Sequence, residues 1–264
     1  DRVGQLTKYM EETFHVPARE THAAIQAAEE AQKSFRAQMI QAGEQVLKQA
    51  EERGTYAVVL AARPYQTDAL VNHDLPALFT SLGIPVLTVD SVPHANEVDL
   101  SRSALDIVNN YHARMLSTAI LAAQDPRMEY VQIVSFGCGH DAYLSDEIIR
   151  LMGEISGKTP LVLKLDESDV QGPLRIRVRS FVETLAMRRE REKSRPVQEL
   201  EDPYPLKFSR RDKKERLVLI PNVSHAFCRV MSAAMGKDGL RTGPLEVGRE
   251  EAIRLGKQYV HNDI

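Results

Sequence analysis

The chain has 264 residues, 43% hydrophobic and 27% charged, with a formal net charge of −3. That is an ordinary globular composition, with material for one large domain or two smaller ones. It excludes a basic field for nucleic acid or anionic membrane, and no apolar run nears the ~18 residues of a membrane span. Two cysteines, Cys138 and Cys228, make no disulfide framework, so a reducing, cytoplasmic setting is expected. The first residues, Asp1-Arg2-Val3-Gly4, carry neither an initiator Met nor the apolar core of a signal peptide. They read as the start of a piece of a longer protein.

Residues 1–55 read as helical, with Ile25, Ala28, Phe35, Met39, Val46 and Leu47 supplying an apolar face for packing or an interface. From residue 56 the texture becomes alternating strand and helix. Residues 56–62 are an apolar strand. A helix over 75–82 follows, with Pro76 near its start and Gly83 just past its end. Residues 85–89 form a second strand, 111–123 a helix and 131–134 a third strand. Leu144, Ile148, Leu151 and Ile155 mark the next helix, 161–165 a fourth strand, and Leu174, Val178, Phe181 and Leu185 one face of a further helix. This alternation predicts an α/β lobe over 56–190, with a mainly parallel sheet and helices on both faces in three layers. The charged run 187–193 and three prolines (Pro196, Pro203, Pro205) mark a helix end running into a linker over 191–215. Residues 216–264 hold a strand at 217–221 and helical patterns over 226–235 and 247–259, too little for a complete α/β domain; they read as the start of a second lobe.

The stretch Val134-Ser135-Phe136-Gly137-Cys138-Gly139-His140-Asp141 stands where the third strand gives way to a helix. In an open parallel sheet that is the edge at which ligands bind, and glycine on both sides of Cys138 permits unusual backbone angles and close approach of a cofactor. Parallel strands would bring Arg63-Pro64-Tyr65, Asp90-Ser91, Cys138 and Asp166-Glu167 to the same edge. As residues alone, Cys138 could be a structural thiol, a nucleophile with His140 or His73 as base, a redox thiol or a metal ligand. Zinc would need Cys138, His140 and Cys228 together, and so a second lobe folded back on the first. Asp74 is placed to cap the helix that follows it, which leaves His73 as the better functional candidate there. Arg175 and Arg179 share a helix face that could hold a phosphate or carboxylate, or simply be solvated. Neither a P-loop nor a Gly-x-Gly-x-x-Gly fingerprint occurs.

Taken in order, Arg63-Pro64-Tyr65, Asn72-His73-Asp74-Leu75-Pro76, the run from Leu82 to Asp90, Val134 to Asp141, Leu163-Lys164-Leu165-Asp166-Glu167 and Arg175-Ile176-Arg177 resemble the 2-hydroxyacyl-CoA dehydratase activase-related family. The likeness is to the part of that family akin to the dehydratase's cluster-binding D-component. It implies Rossmann-like lobes that hold a [4Fe–4S] cluster through cysteines, Cys138 among them, in the full-length protein. It also implies an ATP-dependent activase-like partner and ATP-driven, low-potential electron transfer to an acyl-CoA substrate. Arg63, Tyr65, His73 and Asp141 would line the catalytic site, and Gly137, Gly139, Asp166 and Arg175 would surround the cofactor. With only Cys138 and Cys228, residues 1–264 are expected to hold no stable cluster alone. The family pattern has Gly where this chain has Ala62, and the run from Tyr259 to Ile264 resembles the lead-in to another family cysteine.

Overall fold

The apolar runs of the sequence pair into one parallel sheet. In the computed structural model β1 (Ala57–Ala61) lies between β2 (Val86–Thr88) and β3 (Met128–Val134), and β3 pairs in turn with β4 (Leu161–Lys164), giving the order β2-β1-β3-β4. Every residue of β1 and β3 is buried, as expected of parallel strands covered on both faces. The register sets Ala61 opposite Gln132 and Val134 opposite Lys164, so β3 runs two residues past β1 at its carboxyl end. Residues 2–107, 109–134, 139–165, 171–191, 196–202, 205–221, 223–245 and 250–256 are described. They divide into two units, Asp1–Glu201 and Asp202–Ile264.

In the first unit, α1 (Arg2–Phe14) and α2 (Ala18–Glu52) precede the sheet, α3 (Leu75–Ser81) joins β1 to β2, and α4 (Asn110–Gln124) leads to β3. Then α5 (Gly139–Ser156) joins β3 to β4, and α6 (Gln171–Arg191) follows. Alternate side chains of a strand face opposite ways, and the two faces collect two cores. Ala57, Val59, Ala61, Met128 and Tyr130 pack with the end of α2 and with α4 and α5. Val58, Leu60, Val131, Ile133 and Leu163 pack with α3 and α6. The result is the predicted three-layer, Rossmann-like α/β architecture.

Two features differ from the sequence reading. The apolar face expected along the N-terminal helix is largely unburied: of α2 only Thr21, Gly43, Leu47 and Ala50 are buried, and Phe35 is 58% exposed. Periodicity marks an amphipathic face but not whether a partner covers it. Where α2 meets the sheet it does so closely, for a Cβ on Gly43 would stand 1.8 Å from the Ser91 carbonyl oxygen. The charged run after Leu185 is likewise more than a solvated helix end. Arg188 Nη2 and Arg189 Nη1 donate to Glu129 Oε1 at 2.5 and 3.3 Å, and Glu129 is a fully buried carboxylate of β3. Arg189 also stands 4.8 Å from the Tyr56 ring centre. Nearby, Lys158 Nζ donates to the carbonyls of Ala122, Asp125 and Met128 at 2.6–2.8 Å. The amino-terminal end of the sheet is thus fastened by charged groups.

In the second unit, α7 (Asp212–Glu215) precedes β5 (Leu217–Ile220), which pairs in parallel with β6 (Arg241–Pro244) across α8 (His225–Lys237), and α9 (Glu250–Gly256) follows. The Ser224 hydroxyl caps α8 by accepting from Phe227 N at 3.2 Å. Cys228 is buried and its thiol donates to the Pro221 carbonyl at 3.3 Å. The sequence reading missed β6, because Arg241-Thr242-Gly243-Pro244 has no apolar alternation and is a strand only by its pairing with β5.

Candidate functional site

The strand order reverses at β1. From β1 the chain steps to β2 on one side, then crosses back to β3 on the other. In open α/β sheets that reversal leaves a crevice beyond the strands' carboxyl ends, where ligands bind. Two described segments border it here: the turn after β1, beginning at Arg63, and the first turn of α5. Four residues, 135–138, join Val134 to Gly139. Cys138, Gly137 and, after β4, Asp166 lie outside the described residues.

Arg63 reaches across the crevice to α5. Its Nη2 and Nε donate to Asp141 Oδ1 at 2.5 and 3.1 Å, with the two side chains 19% and 6% exposed. Asp141 sits in the first turn of α5, where the helix dipole favours a carboxylate. The turn that presents Arg63 is itself pinned. Arg63 N donates to Gln66 Oε1 at 2.7 Å, and buried Asn72 donates through Nδ2 to the carbonyls of Gln66 and Thr67 at 3.1 and 3.2 Å. A guanidinium and a carboxylate 78 positions apart in the chain are therefore held together by residues of a short 3₁₀ turn, Pro64–Thr67.

Beside this pair lies a residue that the sequence reading passed over. His112, near the start of α4, is only 7% exposed, and its Nε2 is buried without a hydrogen-bond partner among the described residues. Its ring stacks on that of His140, with centroids 5.9 Å apart and planes 25° apart. Both line a cavity of about 180 Å³ with Leu105, Ile107, Leu116 and Tyr143. The loop forming one wall is tied to α5, since Glu147 Oε1 accepts from Ala104 N at 2.7 Å and Arg150 holds Glu147 in turn. The available signal for His112 was its register: it falls three and four positions before Met115 and Leu116, on the buried face of its helix.

Burial and then the Arg63 guanidinium hold the His112 imidazole below its ordinary value, against the opposing pull of Asp141. Below about pH 6.5 the unfolded chain takes up a proton that folded His112 resists, so this group's stabilisation is lost as pH falls. Urea midpoints at pH 7.5 and 5.5 are expected to drop more in the parent than in His112→Phe. Equal drops would show that His112 does not resist protonation in the folded state.

The other candidates lie elsewhere. Tyr65 is 51% exposed on the 3₁₀ turn. His73 and Asp74 take left-handed backbone angles, φ 53° and 56°. Although Asp74 occupies the position before α3, its side chain makes no cap bond, which corrects the expected capping role. His73 and Asp74 instead line a groove of about 320 Å³ with Arg175 and Arg179, between α3 and α6 and so on the opposite face of the sheet from His112. Gly139 opens α5, and a Cβ there would meet only the Tyr143 side chain at 3.9 Å, so no described neighbour demands glycine. Asp90 is paired with Arg114 at 2.6 Å.

Fold and strand order define a Rossmann-like α/β unit with a crevice at its topological switch point. Residues 2–92 match the family model described as "CoA enzyme activase uncharacterised domain (DUF2229)". The matched stretch runs from α1 to Val92, so it includes the two N-terminal helices, β1, Arg63 and β2, and it supports a relation to CoA enzyme activases. No curated protein and no solved structure matches the chain. Among the described residues no helix is long and apolar enough to cross a membrane.

Proposed function

We propose that this chain is a lobe of an iron–sulfur protein of the activase-related, acyl-CoA dehydratase or reductase type, working with an ATP-dependent activase-like partner. The observation that carries this reading is the Arg63–Asp141 pair at the switch point, three positions from Cys138 in the chain, together with the activase match over residues 2–92. Cys138 would ligate a [4Fe–4S] cluster, and such a cluster when bound passes single electrons at low potential. Arg63 and Asp141 would fix the crevice wall, with His112 and His140 beside them. Among the described residues no three His, Cys, Asp or Glu side chains converge to hold a metal ion. Cys138 is also the one cysteine of the first unit, so the remaining thiolates would come from outside that unit.

The test is iron and sulfide content after anaerobic reconstitution of the longest polypeptide carrying this sequence, with and without Cys138→Ser. Cluster in the parent and its loss in the variant supports the assignment; equal iron in both removes Cys138 as a ligand. Iron in neither favours a second reading, a metal-free lobe that binds a ligand or docks the activase-like partner. A separate observation favours that reading: over residues 22–38 α2 leaves its side chains exposed but for the half-buried Ile25, a surface on which a partner could dock.

A further inference from the structure

We propose that residues 22–38 of α2 form a dimer seam, on which a second copy of this chain packs antiparallel. Ile25, Ala28, Gln32, Phe35 and Met39 recur at alternating steps of three and four, the spacing of the seam positions of a coiled coil. α1 packs against α2, yet with it in place every side chain over 22–38 stays exposed except half-buried Ile25, and Phe35 is 58% exposed. A groove runs along this face, lined by Ile25, Ala28, Glu29, Gln32, Lys33 and Arg36. The charges say which molecule fits it. Glu29 and Arg36 lie seven positions apart, and so on the same side of the stripe. A two-fold axis at Gln32, the middle of the five seam residues, sets Glu29 beside the partner's Arg36 and Arg36 beside the partner's Glu29, since such a contact makes each pair twice. A parallel copy would gain neither pair, because it would face them with the other side of the stripe, where Ala24, Ala31 and Gln38 are neutral. Lys33 has Glu30 and Glu29 of its own helix three and four positions before it, and so leaves the cross-pairs unopposed. The same axis brings Gln32 to the partner's Gln32. An amide both donates and accepts, so the two satisfy each other and fix the register. Phe35 then packs on the partner's Ala28, large against small, and Ile25 meets the partner's Met39. This inference needs neither iron nor Cys138, and it commits the exposed face of α2 to a second copy in place of an activase-like partner.

Residues 22–38 span about 25 Å, a short seam at the low end of specific interfaces, so sedimentation velocity of the full 264-residue chain should show a monomer at about 1 μM and a dimer by about 300 μM. Phe35→Ser should abolish the dimer. Glu29→Lys and Arg36→Glu should each weaken it about tenfold, because two attractive pairs become repulsive in each variant. Mixing those two variants restores it: Lys at 29 of one then faces Glu at 36 of the other, and Arg36 of the first faces Glu29 of the second. All three positions are exposed, so the circular dichroism spectrum should be kept throughout. A monomer at about 300 μM leaves this face to an activase-like partner and overturns the proposal. A dimer indifferent to Phe35→Ser, or a mixture that associates no better than its two components, does so as well.

Discussion

Replacing Asp141 with alanine is expected to cost about 3 kcal/mol of stability, the usual loss when one member of a buried ion pair is removed. The effect is large because the guanidinium left behind is only 19% exposed, and water cannot replace the carboxylate fully. Arg63→Ala should cost less. The stranded carboxylate still lies in the first turn of α5, where the helix dipole offsets part of its charge. The double variant should be close to Asp141→Ala alone, giving a coupling energy of about 2 kcal/mol in a double-mutant cycle of urea unfolding. Additive single effects would mean that the pair is screened by solvent and does not fix the crevice.

The second large effect concerns glycine in two helices of one protein. Gly153 lies exposed within α5, and a Cβ there meets nothing within 4 Å, so Gly153→Ala should stabilise by about 1 kcal/mol through helix propensity. Gly43→Ala makes the same gain within α2 but drives its new carbon to 1.8 Å from the Ser91 carbonyl oxygen. That oxygen belongs to backbone, in a turn closed by Ser91 Oγ donating to Thr88 O at 2.9 Å, so it cannot simply swing aside. Overpacking of this kind exceeds the helical gain, for a net loss of about 2 kcal/mol. Chemical denaturation of the two variants should therefore shift in opposite directions; a stabilised Gly43→Ala would show that α2 can lift from the sheet at little cost.

The parallel sheet was legible in the sequence because its strands are buried on both faces and must be written in apolar letters. The end of α3 was legible too, with Gly83 at φ 78° closing it. What could not be read were features created by a partner. His112 is one polar letter in a helix, and its burial depends on α5 and on the loop packed against it. Arg188 and Arg189 look like part of a solvated run until Glu129 is placed opposite them. Asp74 has the residue type of a cap, yet its backbone turns left-handed and directs the side chain elsewhere. Arg63 and Asp141 were named as site residues through a family likeness, and their mutual bond is a product of the strand order, which no local pattern encodes.

The uneven burial of α2 has a consequence for how the first unit breathes. Over residues 22–38 every side chain is exposed except the half-buried Ile25, so that reach draws little support from tertiary packing. Most helical stability in proteins comes from tertiary packing of one face rather than from propensity, so this reach is the weaker part of the helix. The amides there can exchange with solvent through local opening while β1 and β3 stay closed, and the boundary between the fast and slow tiers falls near Gly43, where the helix meets Ser91. The half of the helix most available to another molecule is thus also the half that can reshape itself at least cost.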